Sequence, residues 1–117
     1  MLAKKYRLTK NLQFEAVMGK GQAVYSPILL IKQINNKYNY SRIGIIVSNK
    51  VSKKASQRNL IKRRLREIIK KEFSKIKKGK DVVIIVSPKI INENQKVMEY
   101  KQIEKYFLTS MQKAGLL

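Results

Sequence analysis

The stretch from Gln57 to Phe73 constrains this chain more than any other. Ile61, Leu65, Ile68 and Glu72 recur there at i, i+4, i+7 and i+11, with Ile69 beside them. At about 100° per residue these positions share one face of an α-helix. Arg58, Lys62 and Arg66 line one flank of that stripe, and Arg63 and Lys70 continue the arc outward. Arg64 and Lys71 fall on the opposite flank. The helix therefore turns an apolar stripe to a core and a wide cationic surface to everything else. Seven basic side chains on one helix repel one another unless a polyanion lies alongside. A solvated helix mixes acids with bases, and Glu67 and Glu72 are too few for that. The pattern points to a nucleic-acid-binding face.

The rest of the chain agrees with that reading. Lys and Arg number 27 against 7 Asp and Glu, a formal net charge of +20, and 13 of the 27 lie between Lys53 and Lys80. Hydrophobic residues still make up 44%, so this is a folded domain and not a disordered basic tail. Its 117 residues fit a single domain, 1–117, with one modest core and a nucleic-acid-binding surface. Such charge suggests nucleic acid first and an anionic membrane second. Without cysteine there is neither a disulfide scaffold nor a thiolate metal site, and without histidine the commonest general base is missing. No apolar run approaches the roughly 18 residues of a membrane span, and no signal-peptide core follows the N-terminal charges. A cytoplasmic protein is expected.

Side-chain catalysis has little to work with. The acids are Glu15, Glu67, Glu72, Asp81, Glu93, Glu99 and Glu104. None forms an Asp-x-Asp pair, and Glu67 and Glu72 are five apart, so they diverge on a helix. No catalytic residue and no metal ligand is expected; any activity belongs with a bound RNA. Gly19-Lys20-Gly21 lacks the Lys-Ser/Thr of a phosphate loop and reads as a stop and a turn.

In chain order, Thr9 or Asn11 caps a first short helix carrying Leu12, Phe14, Ala16 and Val17, which Gly19 and Gly21 stop. A short strand at Val24–Tyr25 precedes Pro27, and Ile28–Ile34 is a β-branched strand. Tyr40–Ser48 is the next, expected to pair antiparallel with it through a hairpin. Its alternation puts Ile43, Ile45 and Val47 on one face and Arg42, Gly44, Ile46 and Ser48 on the other. A loop with Lys50, Lys53 and Lys54 leads to Ser56, a reasonable N-cap for the basic helix, which is expected to run to about Lys77 before Gly79. Asp81–Val86 reads as a buried strand closed by Ser87-Pro88. Tyr100, Ile103, Phe107, Met111 and Ala114 mark a last helix. The order α-β-β-(β)-α-β-α, with a small, mostly antiparallel sheet under helices, is a two-layer α+β domain.

At Arg58-Asn59-Leu60-Ile61-Lys62-Arg63 the chain resembles the bacterial ribonuclease P protein component. That family carries Arg-Asn-Arg-x-Lys-Arg on a helix that follows a strand ending in a Val-Ser-x-Lys sequence. Here Val47-Ser48-Asn49-Lys50 precedes the motif and Leu65-Arg66-Glu67 follows it. Tyr6-Arg7-Leu8, Phe14, Gly21 and the Val82–Val86 strand extend the resemblance over nearly the whole chain. Three positions depart from the pattern: Leu60 replaces the second arginine, and Met18 and Lys32 stand where many members have aromatics. The resemblance implies a fold like the second domain of ribosomal protein S5, with a left-handed β-α-β crossover through the basic helix. It implies that a catalytic RNA, with Mg²⁺, removes the 5′ leader of precursor tRNA while the protein binds both. It places Arg58, Asn59, Lys62, Arg63 and Arg66 against RNA, with Lys50, Lys53 and Lys54 beside them. It places Phe14, Met18 and Lys32 in a cleft that grips the leader. No cofactor is expected on the protein's own side chains.

The alternatives are weaker. A small basic ribosomal or other structural RNA-binding protein would leave precursor tRNA cleavage unaffected. A membrane-active helix needs its apolar stripe free for lipid, but strands on both sides offer it a core. DNA recognition by a helix-turn-helix needs a preceding helix and short turn, where a strand and a loop stand. Neither membrane nor DNA is an expected partner.

Overall fold

The computed structural model describes residues 2–117. Helix α1 (Asn11–Lys20) leads to strands β1 (Gln22–Tyr25), β2 (Leu29–Asn35) and β3 (Arg42–Ile46). Helix α2 (Ala55–Glu72), strand β4 (Lys80–Val86) and helix α3 (Tyr100–Lys113) follow. The strands form one sheet in the order β1-β2-β4-β3, antiparallel except for the β3–β4 pair. The expected hairpin between Ile28–Ile34 and Tyr40–Ser48 does not form, because β4 lies between those strands. The connecting loop is tied to the segment entering β4. Asn36 N–H donates to Gly79 O at 2.8 Å, and the Ser41 hydroxyl donates to Lys77 O at 2.6 Å while accepting from Lys80 N–H at 3.0 Å. These bonds hold β2 and β3 one strand width apart. β4, with Val82, Val83 and Ile84 fully buried, fills the gap and is covered on both edges.

Helices α2 and α3 cover one sheet face. Ile61, Leu65 and Ile68 of α2 and Ile103, Phe107 and Met111 of α3 are all 0% exposed and pack with Ile31, Ile43, Val82 and Ile84. Full burial of each such side chain contributes about 1.5–3 kcal/mol. The predicted alternation of β3 holds: Ile43, Ile45 and Val47 join this core, while Ile46 faces the other way. On that second face α1 lies over a smaller cluster of Leu8, Val17 and Val83, flanked by Phe14, Ile34, Ile46 and Ile85.

Helix boundaries move where hydrogen bonds decide them. Lys10, rather than Thr9 or Asn11, is the N-cap of α1; the Gln13 carboxamide accepts from Thr9 and Lys10 N–H at 2.9 and 3.1 Å. Gly19 lies within the helix, and only Gly21 ends it. A Cβ at Gly21 would lie 2.4 Å from Val17 O and 3.2 Å from the Gln33 backbone, so close approach to β2 requires glycine there. The inward residues of α1 are Val17 and Phe14, whereas Leu12 is 78% exposed and Ala16 exposed. Ser56 sits inside α2, whose N-cap is Lys54, because Ser52 already accepts Lys54 N–H at 3.1 Å and orders the approach. α2 ends at Glu72, followed by a 3₁₀ turn over Phe73–Lys75. It does not reach Lys77, whose N–H bonds Leu116 O at 2.8 Å and not a carbonyl one helical turn back. Gly79 enters β4 with φ +81°, a conformation that glycine adopts without strain.

Candidate nucleic-acid interface

The buried stripe of α2 fixes the rotation of the helix about its axis, and so decides which cations face outward. Asn59, Arg63, Arg66, Glu67 and Lys70 are exposed and line a shallow depression of about 520 Å³. Arg58 and Lys62 are half-buried on the flank. Arg58 Nη1 donates to Ser52 O at 2.8 Å, so it braces the loop before the helix as well as presenting charge. That loop is further held by Val51 N–H on Ser48 O (3.0 Å), the Ser52 hydroxyl on Gln57 Oε1 (2.6 Å) and Gln57 Nε2 on Gln95 O (2.7 Å). It leaves Lys50, Lys53 and Lys54 exposed at the N-terminal end of α2, where the helix dipole adds positive potential.

Ion pairing separates the two flanks. Among the described residues the salt bridges are Arg42–Asp81 at 2.6 Å, Lys71–Glu104 at 2.6 Å and Lys75–Glu72 at 3.8 Å. The flank turned toward α3 is thus tied to the protein: Lys71 pairs with Glu104, whose hydrogen bond raises the lysine's pKa, and Arg64 donates to Met98 O. None of Arg58, Lys62, Arg63, Arg66, Lys50, Lys53 and Lys54 takes part in such a pair. The cations expected to face RNA are among the many that no acid pairs. Leu60 is half-buried and belongs to neither apolar cluster.

The cleft residues also come together. The half-buried ring of Phe14 lies over Gly44 of β3, so close that a Cβ at Gly44 would sit 2.4 Å from Phe14 Cε1. Met18, 37% exposed, stands one turn further along α1, and Lys32 Nζ donates to its carbonyl at 2.9 Å. That bond places the ammonium near the C-terminal end of α1, where the dipole favours it. Arg66 joins the two surfaces. With Phe14, Leu8, Gly44 and Arg7 it lines a pocket of about 290 Å³ where α1, β3 and α2 meet. Arg7, whose buried Nε has no hydrogen-bond partner, was not singled out as a site residue from the sequence. Its place in Tyr6-Arg7-Leu8 was the available signal.

A cationic helix whose outer basic residues make no salt bridge, joined through one arginine to a partly open apolar cleft, fits an RNA-binding protein of the α+β class. The comparisons with known proteins are specific. The chain belongs to the ribonuclease P protein family, whose model matches residues 2–114. The ribonuclease P protein component of Alkaliphilus metalliredigens is 35% identical over 95% of each chain. The solved structure of the Staphylococcus aureus RNase P protein superposes with a TM-score of 0.82 at 32% identity, covering 95% of this chain and 96% of that one. The RNase P protein of Thermotoga maritima gives 0.78 at 30% identity, covering 88% and 92%. Members are the protein subunit of a ribonucleoprotein that matures tRNA 5′ ends, so the family implies an RNA partner for this chain. Among the described residues no three His, Cys, Asp or Glu side chains cluster as a metal site, and no helix is long and apolar enough to cross a membrane.

Proposed function

We propose that this chain holds the catalytic RNA of ribonuclease P on the outer face of α2 and the 50–54 loop. In the same reading it grips the 5′ leader of precursor tRNA in the cleft between α1 and the sheet. The observation that carries this is the junction at Arg66, which belongs both to the outer cationic face, where Arg63, Arg66 and Lys70 outnumber the one acid Glu67, and to the pocket holding Phe14. Arg58, Lys62, Arg63 and Arg66 offset phosphate repulsion between enzyme RNA and substrate, and Asn59 adds a neutral hydrogen-bonding group to the same face. Phe14 supplies a π-face for an unpaired leader base, which suits any sequence. Met18 and Lys32 complete the cleft with an apolar thioether and an ammonium in place of rings. The hydrolysis belongs to the RNA and its Mg²⁺; the protein's part is to position the leader and lower the charge cost of bringing two polyanions together. The cytoplasm is the compartment that fits this work.

The test is cleavage of precursor tRNA by a bacterial ribonuclease P RNA at low Mg²⁺, with and without the chain. The chain is expected to restore cleavage at Mg²⁺ concentrations where the RNA alone is slow. Unchanged cleavage, with tight binding to ribosomal RNA instead, would favour the structural RNA-binding reading.

A further inference from the structure

Helix α1 covers only part of its sheet face. Phe14 lies over Gly44, Val17 packs with Val83, and Lys32 reaches the Met18 carbonyl, so α1 sits on the cross-strand row Lys32–Val83–Gly44. The neighbouring row on the same face is Tyr25–Leu30–Ile85–Ile46, one residue from each of the four strands, each directly paired with the next. Leu30, Ile85 and Ile46 are half-buried, and Tyr25 is 72% exposed. The strand partner of Val24 is the fully buried Ile31, so Val24 turns toward the main core and Tyr25 toward the cleft side. A transverse apolar strip thus leads away from the Phe14–Arg66 junction and ends, on the edge strand, in an aromatic ring that the core does not use.

We infer that Tyr25 stacks on a leader nucleotide far from the cleavage site, supplying at the β1 edge the aromatic surface that Met18 and Lys32 do not. The inference rests on the leader-cleft reading above and extends it to a residue that reading does not use. From β3 to β1 is three strand spacings, about 14 Å. That is roughly four nucleotides at the 3.4 Å spacing of a stacked strand. The intervening aliphatic row gives bases a flat apolar floor, and the phenol hydroxyl stays in water or meets a phosphate. Stacking tolerates any base. Tyr25 therefore sets a dependence on leader length and not on leader sequence.

The experiment uses the full chain assembled with a ribonuclease P RNA, and two precursor tRNAs that differ only in carrying a two- or an eight-nucleotide leader. Tyr25→Ala should weaken the long-leader substrate at least about fivefold, corresponding to roughly 1 kcal/mol. The short-leader substrate should bind unchanged, as should the cleavage rate at saturation. Tyr25→Phe should keep long-leader affinity, because the ring and not the hydroxyl stacks, whereas a purely structural effect of the alanine on the edge strand would weaken both substrates. Equal losses on both substrates, or none on the long one, would overturn the assignment. Phe14→Ala, measured beside it, separates the two levels. A loss with Phe14→Ala and none with Tyr25→Ala removes Tyr25 alone. No loss with either removes the cleft reading itself.

Discussion

Gly44→Ala is the sharpest probe of how the cleft is built. A methyl group on this buried strand position would lie 2.4 and 2.5 Å from Phe14 Cε1 and Cζ and 3.1 Å from Leu8 Cβ. Carbon atoms settle at about 3.5–4.0 Å, so the ring must retreat by roughly 1 Å. Overpacking of this kind costs about 1–3 kcal/mol, partly offset by the roughly 0.4–1 kcal/mol that Gly→Ala gains through the unfolded chain. The net loss should be about 1–2 kcal/mol, or on the order of 5 °C in Tm for a chain of this size. Leader affinity should fall with it, because Phe14 is the group displaced. Urea and thermal denaturation of Gly44→Ala, Phe14→Ala and the double variant form a cycle that isolates the contact. With the ring gone only the 3.1 Å approach to Leu8 Cβ remains, so most of the loss from Gly44→Ala should disappear in the Phe14→Ala background. An undiminished loss in that background would refute the reasoning, since the clash would then lie elsewhere.

Asp81→Ala should cost about 3 kcal/mol in urea denaturation, because Asp81 is 5% exposed and its loss strands Arg42, which donates to it twice, and Asn36; a loss below about 1 kcal/mol would mean that water already screens the pair. If phosphates supply the affinity, log K for RNA falls with log salt at about 0.7–0.9 per phosphate, and Lys62→Ala or Arg66→Ala should each flatten the slope by about one unit. A slope unaltered by both would move the interface off α2. Leu60→Arg should tighten binding to the ribonuclease P RNA of the same organism with little change in Tm, since Leu60 lies outside both apolar clusters. A large drop in Tm would show that the leucine packs after all. Sulfate or citrate should raise Tm above chloride at matched ionic strength, because anions that bind only the folded state stabilise a chain of net charge +20; equal melting temperatures would refute this.

Local pattern determined a good deal of this protein. The stripe of Ile61, Leu65, Ile68 and Ile69 named the buried face of α2 to the residue, because helical periodicity is set within a few turns and needs no partner. The same wheel separated Arg58, Lys62 and Arg66 from Arg64 and Lys71, and the motif around Asn59 and Arg63 led to the family. Pairing was another matter. A polar loop after β2 reads as a hairpin whether the next strand sits beside it or one strand away. Only the bonds from Asn36 and Ser41 to the segment before β4 opened the gap that β4 fills. Cap positions shifted for the same reason: Gln13 and Ser52 claimed backbone groups that the nearest Ser, Thr or Asn was expected to satisfy. In the interface, charge could be counted along the chain, but which cations remain unpaired was decided when α3 brought Glu104 to Lys71. Phe14 over Gly44, Arg66 beside them and Tyr25 at the end of an open row are likewise products of tertiary structure. Each depends on residues far apart in the chain being brought onto one sheet face, and no local propensity encodes that distance.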